Sequence, residues 1–285
     1  LHRRVHGIYR IIGDRRAKAI QINKAINIVR SSGTAFQNAR LDFIFGESDD
    51  TSTIERFLTK LELSEGGFPY QHKSQNPYCL SPTSMIMKIM AETKLTKASV
   101  CKRTIAFVKD IQHTDGYWDE NPALLSFDPP SWDRPGDKMT QLWLTGALAD
   151  HLIRLGEGSS TSVKKARGFL LRHRREDGRV EGPLINTWLT IAVIAPDSGI
   201  DDPIIQKSLT HIGQNRDWEP TELAWALECL FYAAFPRENS IVSKLLDTIV
   251  KLQSDDGYWI SSDDPLDLVR TTLECLIILH HYKRI

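Results

Sequence analysis

Chemistry in this chain has to come from clustered carboxylates and from large apolar rings. Near the C-terminus, Asp263-Asp264-Pro265-Leu266-Asp267 sets Asp264 and Asp267 three residues apart, so a helix starting there turns both the same way. Glu219 and Glu222 form a second acidic group, and Asp133 and Asp137 a third. A carboxyl group withdrawn from water beside another carboxylate keeps its proton to higher pH and can serve as a general acid. Asp264, Asp267 and Glu222 are the candidate acids on this basis. The competing reading is that acidic residues at helix starts cap free N–H groups and complement the helix dipole. Trp143, Trp188 and Trp225 stand at similar depths on three consecutive apolar segments, joined by Met85, Met87, Phe231 and Tyr232. Aromatic faces attract cations, so Met85, Trp143, Trp188, Trp225 and Phe231 are candidates for contact with a substrate that becomes cationic. The alternative is that these rings simply fill the centre.

The elements that carry these residues repeat. Ile111-Gln-His-Thr-Asp-Gly-Tyr-Trp118 and Leu252-Gln-Ser-Asp-Asp-Gly-Tyr-Trp259 match closely, and weaker copies lie at 61–68, 173–180 and 211–218. Each copy joins two segments with helical apolar spacing. Segments before the copies carry charge on one face and suit outer helices, at roughly 14–31, 51–63, 96–112, 161–173, 202–213 and 238–253. Segments after them are apolar nearly all round and suit buried inner helices, at roughly 34–45, 82–93, 138–155, 184–195, 220–234 and 266–282. Six of each predicts an all-α fold, an (α/α)6 toroid of six helical hairpins around a central apolar cavity, as a single domain over 1–285. Proline at Ser81-Pro82 and Glu219-Pro220 marks helix starts, and Gly156 and Pro196 are expected to stop helices. The proline-rich insertion 121–136 reads as either a lid or a loose strap, with Trp132 favouring something that packs.

Thirty-six basic and thirty-six acidic residues cancel, which disfavours nucleic acid as a partner. The four cysteines form no CxxC pair, and read as free thiols in a reducing compartment. No apolar run is long enough to span a membrane, and the start lacks a signal-peptide core, so a cytoplasmic location is expected.

The Gly-aromatic turns Gln112…Gly116-Tyr117-Trp118 and Gln253…Gly257-Tyr258-Trp259 resemble the QW-type repeats of squalene-hopene and oxidosqualene cyclases, and the related repeats of protein prenyltransferase β subunits. The resemblance covers roughly 50–282 and implies an α/α toroid; the hairpin before residue 50 is supplied by inference. It also implies a polyprenyl substrate and a reaction started by protonation, from an Asp-x-Asp-Asp-Thr motif opening an inner helix. The matching stretch here is Tyr78-Cys-Leu-Ser-Pro-Thr-Ser84, without that motif, so an acid must come from another hairpin. The Asp-Asp-x-x-Asp run at 263–267 resembles the Mg-diphosphate motif of class I terpene synthases, but its order and spacing relative to Asn239…Ser243…Asp247 differ. No cofactor is therefore expected, Mg2+ entering only if the substrate is a diphosphate. The zinc ligands of protein prenyltransferases have no counterpart, so no metal site is expected, and Cys229 and Cys275 read as buried structural thiols.

Three functions remain open at this point. The first is a terpene cyclase-like enzyme, an isomerase or lyase, acting on an isoprenoid with a non-standard acid. The second is a non-catalytic toroid that binds an isoprenoid or a protein, or a β-subunit-like partner of a second chain. The third is a carbohydrate-active enzyme with two carboxylates across its ring. Peripheral membrane contact is left open as well.

Overall fold

The computed structural model describes residues 20–262 and 267–285. Within them the outer helices are α1 (Ile22–Ser32), α3 (Ser52–Leu61), α5 (Ser99–Asp110), α7 (Thr161–Arg172), α9 (Pro203–Gln214) and α11 (Ser240–Leu252). The inner helices are α2 (Ala35–Ile44), α4 (Leu80–Glu92), α6 (Lys138–Leu152), α8 (Leu184–Ser198), α10 (Pro220–Tyr232) and α12 (Leu268–His281). Inner helices pack side by side from α4 through α6, α8, α10 and α12 to α2. The gap between α2 and α4 is bridged by the buried Arg40–Glu92 ion pair at 2.7 Å. Six hairpins thus close a toroid, as the alternation of charged and apolar helices predicts. Burial explains the division: α3 buries only Ile54 and Leu58, one stripe four residues apart, whereas α8 buries every residue from Asn186 to Ala195. No helix of the described residues is long and apolar enough to cross a membrane.

The repeated turns fix the geometry of each handover. Trp118 and Trp259 are fully buried, and their indole N–H groups donate to Val108 and Ile249 carbonyls on the preceding outer helix, both at 2.7 Å. Their backbone N–H groups donate to the hydroxyls of Thr145 and Thr272 on the following inner helix, both at 3.1 Å. Two of the three weaker copies repeat that bond, from Phe68 to Thr83 and from Val180 to Thr187. Gly116 and Gly257 adopt φ of +96° and +93°, and each lies against the next outer helix. A Cβ on Gly116 would stand 2.4 Å from the Lys165 carbonyl oxygen, and one on Gly257 would stand 2.5 Å from Lys24 Cβ.

The Gly257 turn is also the seam of the ring. The Gln21 amide donates to Gln253 Oε1 at 2.9 Å, and Lys24 Nζ donates to the Asp255 carbonyl at 2.9 Å. Gly257→Ala should therefore lower stability by about 2–3 kcal/mol in a urea titration, combining positive-φ strain with a clash against Lys24 Cβ. Gly46, with φ +72° but open space around it, isolates the strain alone, and Gly46→Ala should cost about 1 kcal/mol. Equal losses at the two sites would rule out tight packing at the seam.

One local expectation changes, and one open alternative narrows. Pro196 does not stop α8, which runs on to Ser198; a proline this close to a helix end leaves just the Ala192 carbonyl without its helical N–H, and the Arg167 guanidinium donates to the neighbouring Val193 carbonyl. The segment 121–136 is a packed strap, not a loose one. It forms short 3-10 turns at Pro122–Phe127 and Ser131–Asp133, and buries Leu124 against Tyr70 and Cys79. Asp119 grips its far end, accepting from Gly136 N–H and from Gln141 Nε2.

Candidate functional site

Inner helices begin on the same side of the ring, so their first turns frame one end of a central chamber and their later turns line it. Ser81, Met139, Ile185, Thr221 and Arg270 come from the first turns of α4, α6, α8, α10 and α12. One turn deeper stand Met85, Trp143, Trp188, Trp225 and Glu274. The spacing of three or four residues on each helix is what stacks these layers. The chamber has two adjoining compartments of about 510 and 490 Å³, which share Ser81, Met85, Trp132, Ile185 and Trp225. Trp143 and Trp225 meet edge to face with ring centres 6.4 Å apart. The strap crosses this end: the Trp132 carbonyl accepts from Trp143 Nε1 at 2.7 Å, while its own ring is 62 % exposed.

The floor is charged. Lys88, one turn below Met85, pairs with Glu92 at 3.0 Å, with Glu228 at 3.1 Å and with Glu274. Arg40 joins Glu92 and Glu274, and Arg154 joins Asp150 and Glu228. Burial alone would strip the proton from Lys88, but Glu228, Glu274 and Glu92 hold it well above the ordinary lysine range. Burial pushes Asp150 and Glu228 upward against the pull of their cations. His151 stays neutral, driven well below its usual value by burial and by Arg154 and Lys88. The chamber is thus aromatic and apolar along its walls and ionic at its base.

Behind Ser81 lies a second buried cluster. Glu120 follows the Trp118 turn, and its carboxylate accepts from the backbone N–H groups of Leu80 (2.7 Å) and Ser81 (2.9 Å) and from the Cys79 thiol (3.3 Å). It therefore caps α4 from another hairpin. Asp133, on the strap, is 7 % exposed, and its Oδ1 is buried without a hydrogen-bond partner. Burial pushes Glu120 up to about 7, against the three donors that favour its charge, with Asp133 adding to the rise. Burial also pushes Asp133 up to about 6, opposed by the Ser81 side chain. The ligating atoms of Cys79, Glu120 and Asp133 all lie within 4.8 Å of one another. Because both Glu120 oxygens already accept backbone N–H groups, the cluster suits a held proton better than a metal ion.

The residues singled out from sequence fall in different places. Met85, Trp143, Trp188 and Trp225 line the chamber, and Glu222 lines its lower compartment. Phe231 does not: at the far end of α10 it stacks on His281 with ring centres 4.7 Å apart, away from both compartments, because a site two turns below Glu222 has passed the floor. Asp267 caps α12, accepting from Arg270 N–H at 3.0 Å and pairing with Arg270 Nε at 2.8 Å. Asp264 lies outside the described residues. Asp137 likewise caps α6. Sequence reasoning missed Glu120 and the floor. Its available signals were the carboxylate directly after a Gly-Tyr-Trp turn, and the pairs Lys88/Glu92 and Asp150/Arg154 at i,i+4 on otherwise apolar helices.

No family model and no curated sequence matches this chain. Solved structures do. The type II terpene cyclase MstE from Scytonema, in its apo form, superposes with a TM-score of 0.64 at 11 % identity, over 92 % of this chain and 97 % of that one. A protein from Actinoplanes gives 0.63 at 14 %, over 92 % and 98 %. A variant of MstE in complex with geranylgeranyl dihydroxybenzoate, described as its substrate, gives 0.60 at 12 %, over 92 % and 96 %. At these identities the likeness is one of architecture, and the architecture of this chain is the helical toroid of terpenoid cyclases.

Proposed function

We propose that this protein is a terpene cyclase-like enzyme that folds a polyprenyl chain inside the toroid and cyclises it after protonation. The observation that carries the reading is the chamber itself, walled by Trp132, Trp143, Trp188, Trp225 and Met85. Hydrocarbon chains gain free energy by leaving water for such a space, and ring faces stabilise the cations that form as the chain closes. The similarity to MstE, whose variant structures hold a geranylgeranyl substrate and a merosterolic acid product, supports the same reading. Glu222 lines the chamber and Asp267 holds Arg270, which lines it too, so both remain candidates for the reaction's acid. No metal is part of this proposal, Mg2+ entering only with a diphosphate substrate.

The test is incubation with farnesyl, geranylgeranyl, geranylgeranyl dihydroxybenzoate and squalene-type substrates, with Mg2+ or with EDTA, followed by mass spectrometry of the extracts. A cyclic isomer formed in EDTA is the expected product. Trp143→Ala and Trp225→Ala should each weaken binding of the turned-over substrate about tenfold or more, measured by tryptophan fluorescence, since each removes an aromatic wall worth roughly 1.5–3 kcal/mol. Tight binding without turnover would favour the non-catalytic carrier instead, and absence of binding to every prenyl compound would end both.

A further inference from the structure

We propose that the strap is a pH-sensitive lid on the chamber: Glu120 and Asp133 together hold one proton where the strap meets the start of α4, and losing that proton unseats the strap. The proposal goes beyond the cyclase reading and does not depend on it.

The geometry leaves room for one negative charge, not two. An oxygen of Glu120, an oxygen of Asp133 and Cys79 Sγ lie within 4.8 Å of one another, and the two acids are 2 % and 7 % exposed. Two carboxylates so close, with so little water between them, keep one proton as a pair. Among the described residues, no lysine, arginine or histidine offsets either charge. Tyr78 and the Cys79 thiol are held neutral by burial and by the Glu120 charge. Asp119 and Asp137 are engaged with Gly136, Gln141 and the first N–H groups of α6, and Arg134, next to Asp133 in the chain, is exposed. The two members of the pair differ. Glu120 accepts from Leu80, Ser81 and Cys79, donors that favour its charge, whereas Asp133 Oδ1 is buried without a hydrogen-bond partner.

Few contacts oppose the repulsion once the proton leaves. The middle of the strap is seated by Trp143 Nε1 on the Trp132 carbonyl at 2.7 Å, by Thr140 Oγ1 on the Ser131 carbonyl at 3.1 Å, and by the burial of Leu124. Ser131 and Trp132 line the chamber, so unseating the strap opens its mouth. Unseating also returns Asp133 to water, where it ionises in the ordinary carboxylate range. A carboxyl group that holds its proton more tightly when the strap is seated favours seating at low pH. That advantage declines by up to tenfold per pH unit as pH climbs from the ordinary carboxylate range, and levels off above about 6 to 7, where the seated pair has lost its proton.

Amide hydrogen exchange of the whole protein measures the lid directly, read by mass spectrometry between pH 5 and 8 and corrected for the intrinsic rate at each pH. Peptides covering 121–136, whose Leu124 and Asp133 N–H groups donate within the strap, report seating, and peptides of α8 report the fold as a whole. In wild-type protein, strap protection should fall about tenfold or more from pH 5 to pH 7.5 while α8 stays constant. Asp133→Asn should shrink that change to less than about threefold. Leu124→Ala, which removes an uncharged contact, should lower strap protection at every pH and keep the pH dependence. Infrared spectroscopy of the wild-type protein should show the carbonyl band of a buried protonated carboxyl group at pH 5, lost by pH 8. Equal strap protection at pH 5 and pH 7.5, a parallel fall in α8, a full pH response in Asp133→Asn, or no such infrared band would each overturn the proposal. The infrared titration decides the matter even if Asp133→Asn does not fold. None of these readouts uses a substrate, so failure of the cyclase reading shows only in the incubations described above.

Discussion

Arg154→Met should lower the unfolding free energy by about 3–5 kcal/mol, a large share of the stability of any single domain. The Arg154 side chain is 2 % exposed and lies under the chamber. It joins Asp150 and Glu228, approaches Cys229 Sγ at 3.7 Å, and covers the Tyr232 ring at 4.1 Å. Methionine fills much of the volume but leaves Asp150 without its cation and Glu228 with Lys88 alone, in a place where burial already pushes both carboxylates upward. They will respond by taking up protons. A carboxyl group whose folded-state pKa is raised binds more protons folded than unfolded, so its contribution to stability declines as pH rises. The deficit of Arg154→Met relative to wild type should therefore be wider at pH 8 than at pH 5, in urea titrations at the two values. A loss below 1 kcal/mol that ignores pH would mean that the floor is not the closed ionic layer described above.

Trp118→Ala should cost a similar amount, about 3–5 kcal/mol, for an unrelated reason. This ring is fully buried between α5 and α6, and neighbouring helices cannot collapse into a void of indole size while the Gly116 turn holds them apart. Trp118→Phe separates the two contributions of the side chain. It keeps most of the volume and gives up the 2.7 Å bond to the Val108 carbonyl, and should cost about 1–2 kcal/mol. Thermal unfolding followed by circular dichroism measures both. If the phenylalanine variant proved as damaged as alanine, the hydrogen bond and not the packing would be the main contribution of this repeat.

The toroid was legible because two independent signals agreed. Duplicate octapeptides ending at Trp118 and Trp259 gave the repeat, weaker copies gave its spacing, and the change from one-sided to all-round apolarity gave which helix of each pair faces inward. The hairpin of α1 and α2 carried no octapeptide of its own, yet it is where Gly257 and Gln253 find their partners. The walls were legible too, since Trp143, Trp188 and Trp225 follow from helical phase. Phe231 did not, because phase says which way a side chain faces and not how deep the chamber runs. The buried carboxylate cluster was the least legible. Asp264 and Asp267 are neighbours in sequence, whereas Glu120 and Asp133 are thirteen residues apart and meet at the start of α4 only because the strap folds back. Spacing rules detect partners on one helix; they do not detect a cap supplied by another hairpin. The floor was legible only in its i,i+4 pairs Lys88/Glu92 and Asp150/Arg154, and their union with Arg40, Glu228 and Glu274 from other hairpins was not.

The contact of Gln21 with Gln253 spans 232 positions of the chain. Joining ends so distant costs roughly 5 kcal/mol of loop-closure entropy, recovered only when every intervening hairpin is already in place. The hairpins themselves pair locally and can form early, so the union of α1 and α12 should be among the last events of folding. During synthesis on the ribosome, the apolar face that α1 turns toward α12 has to wait uncovered for most of the chain. That interval is when self-association threatens and when a holding chaperone has most to offer.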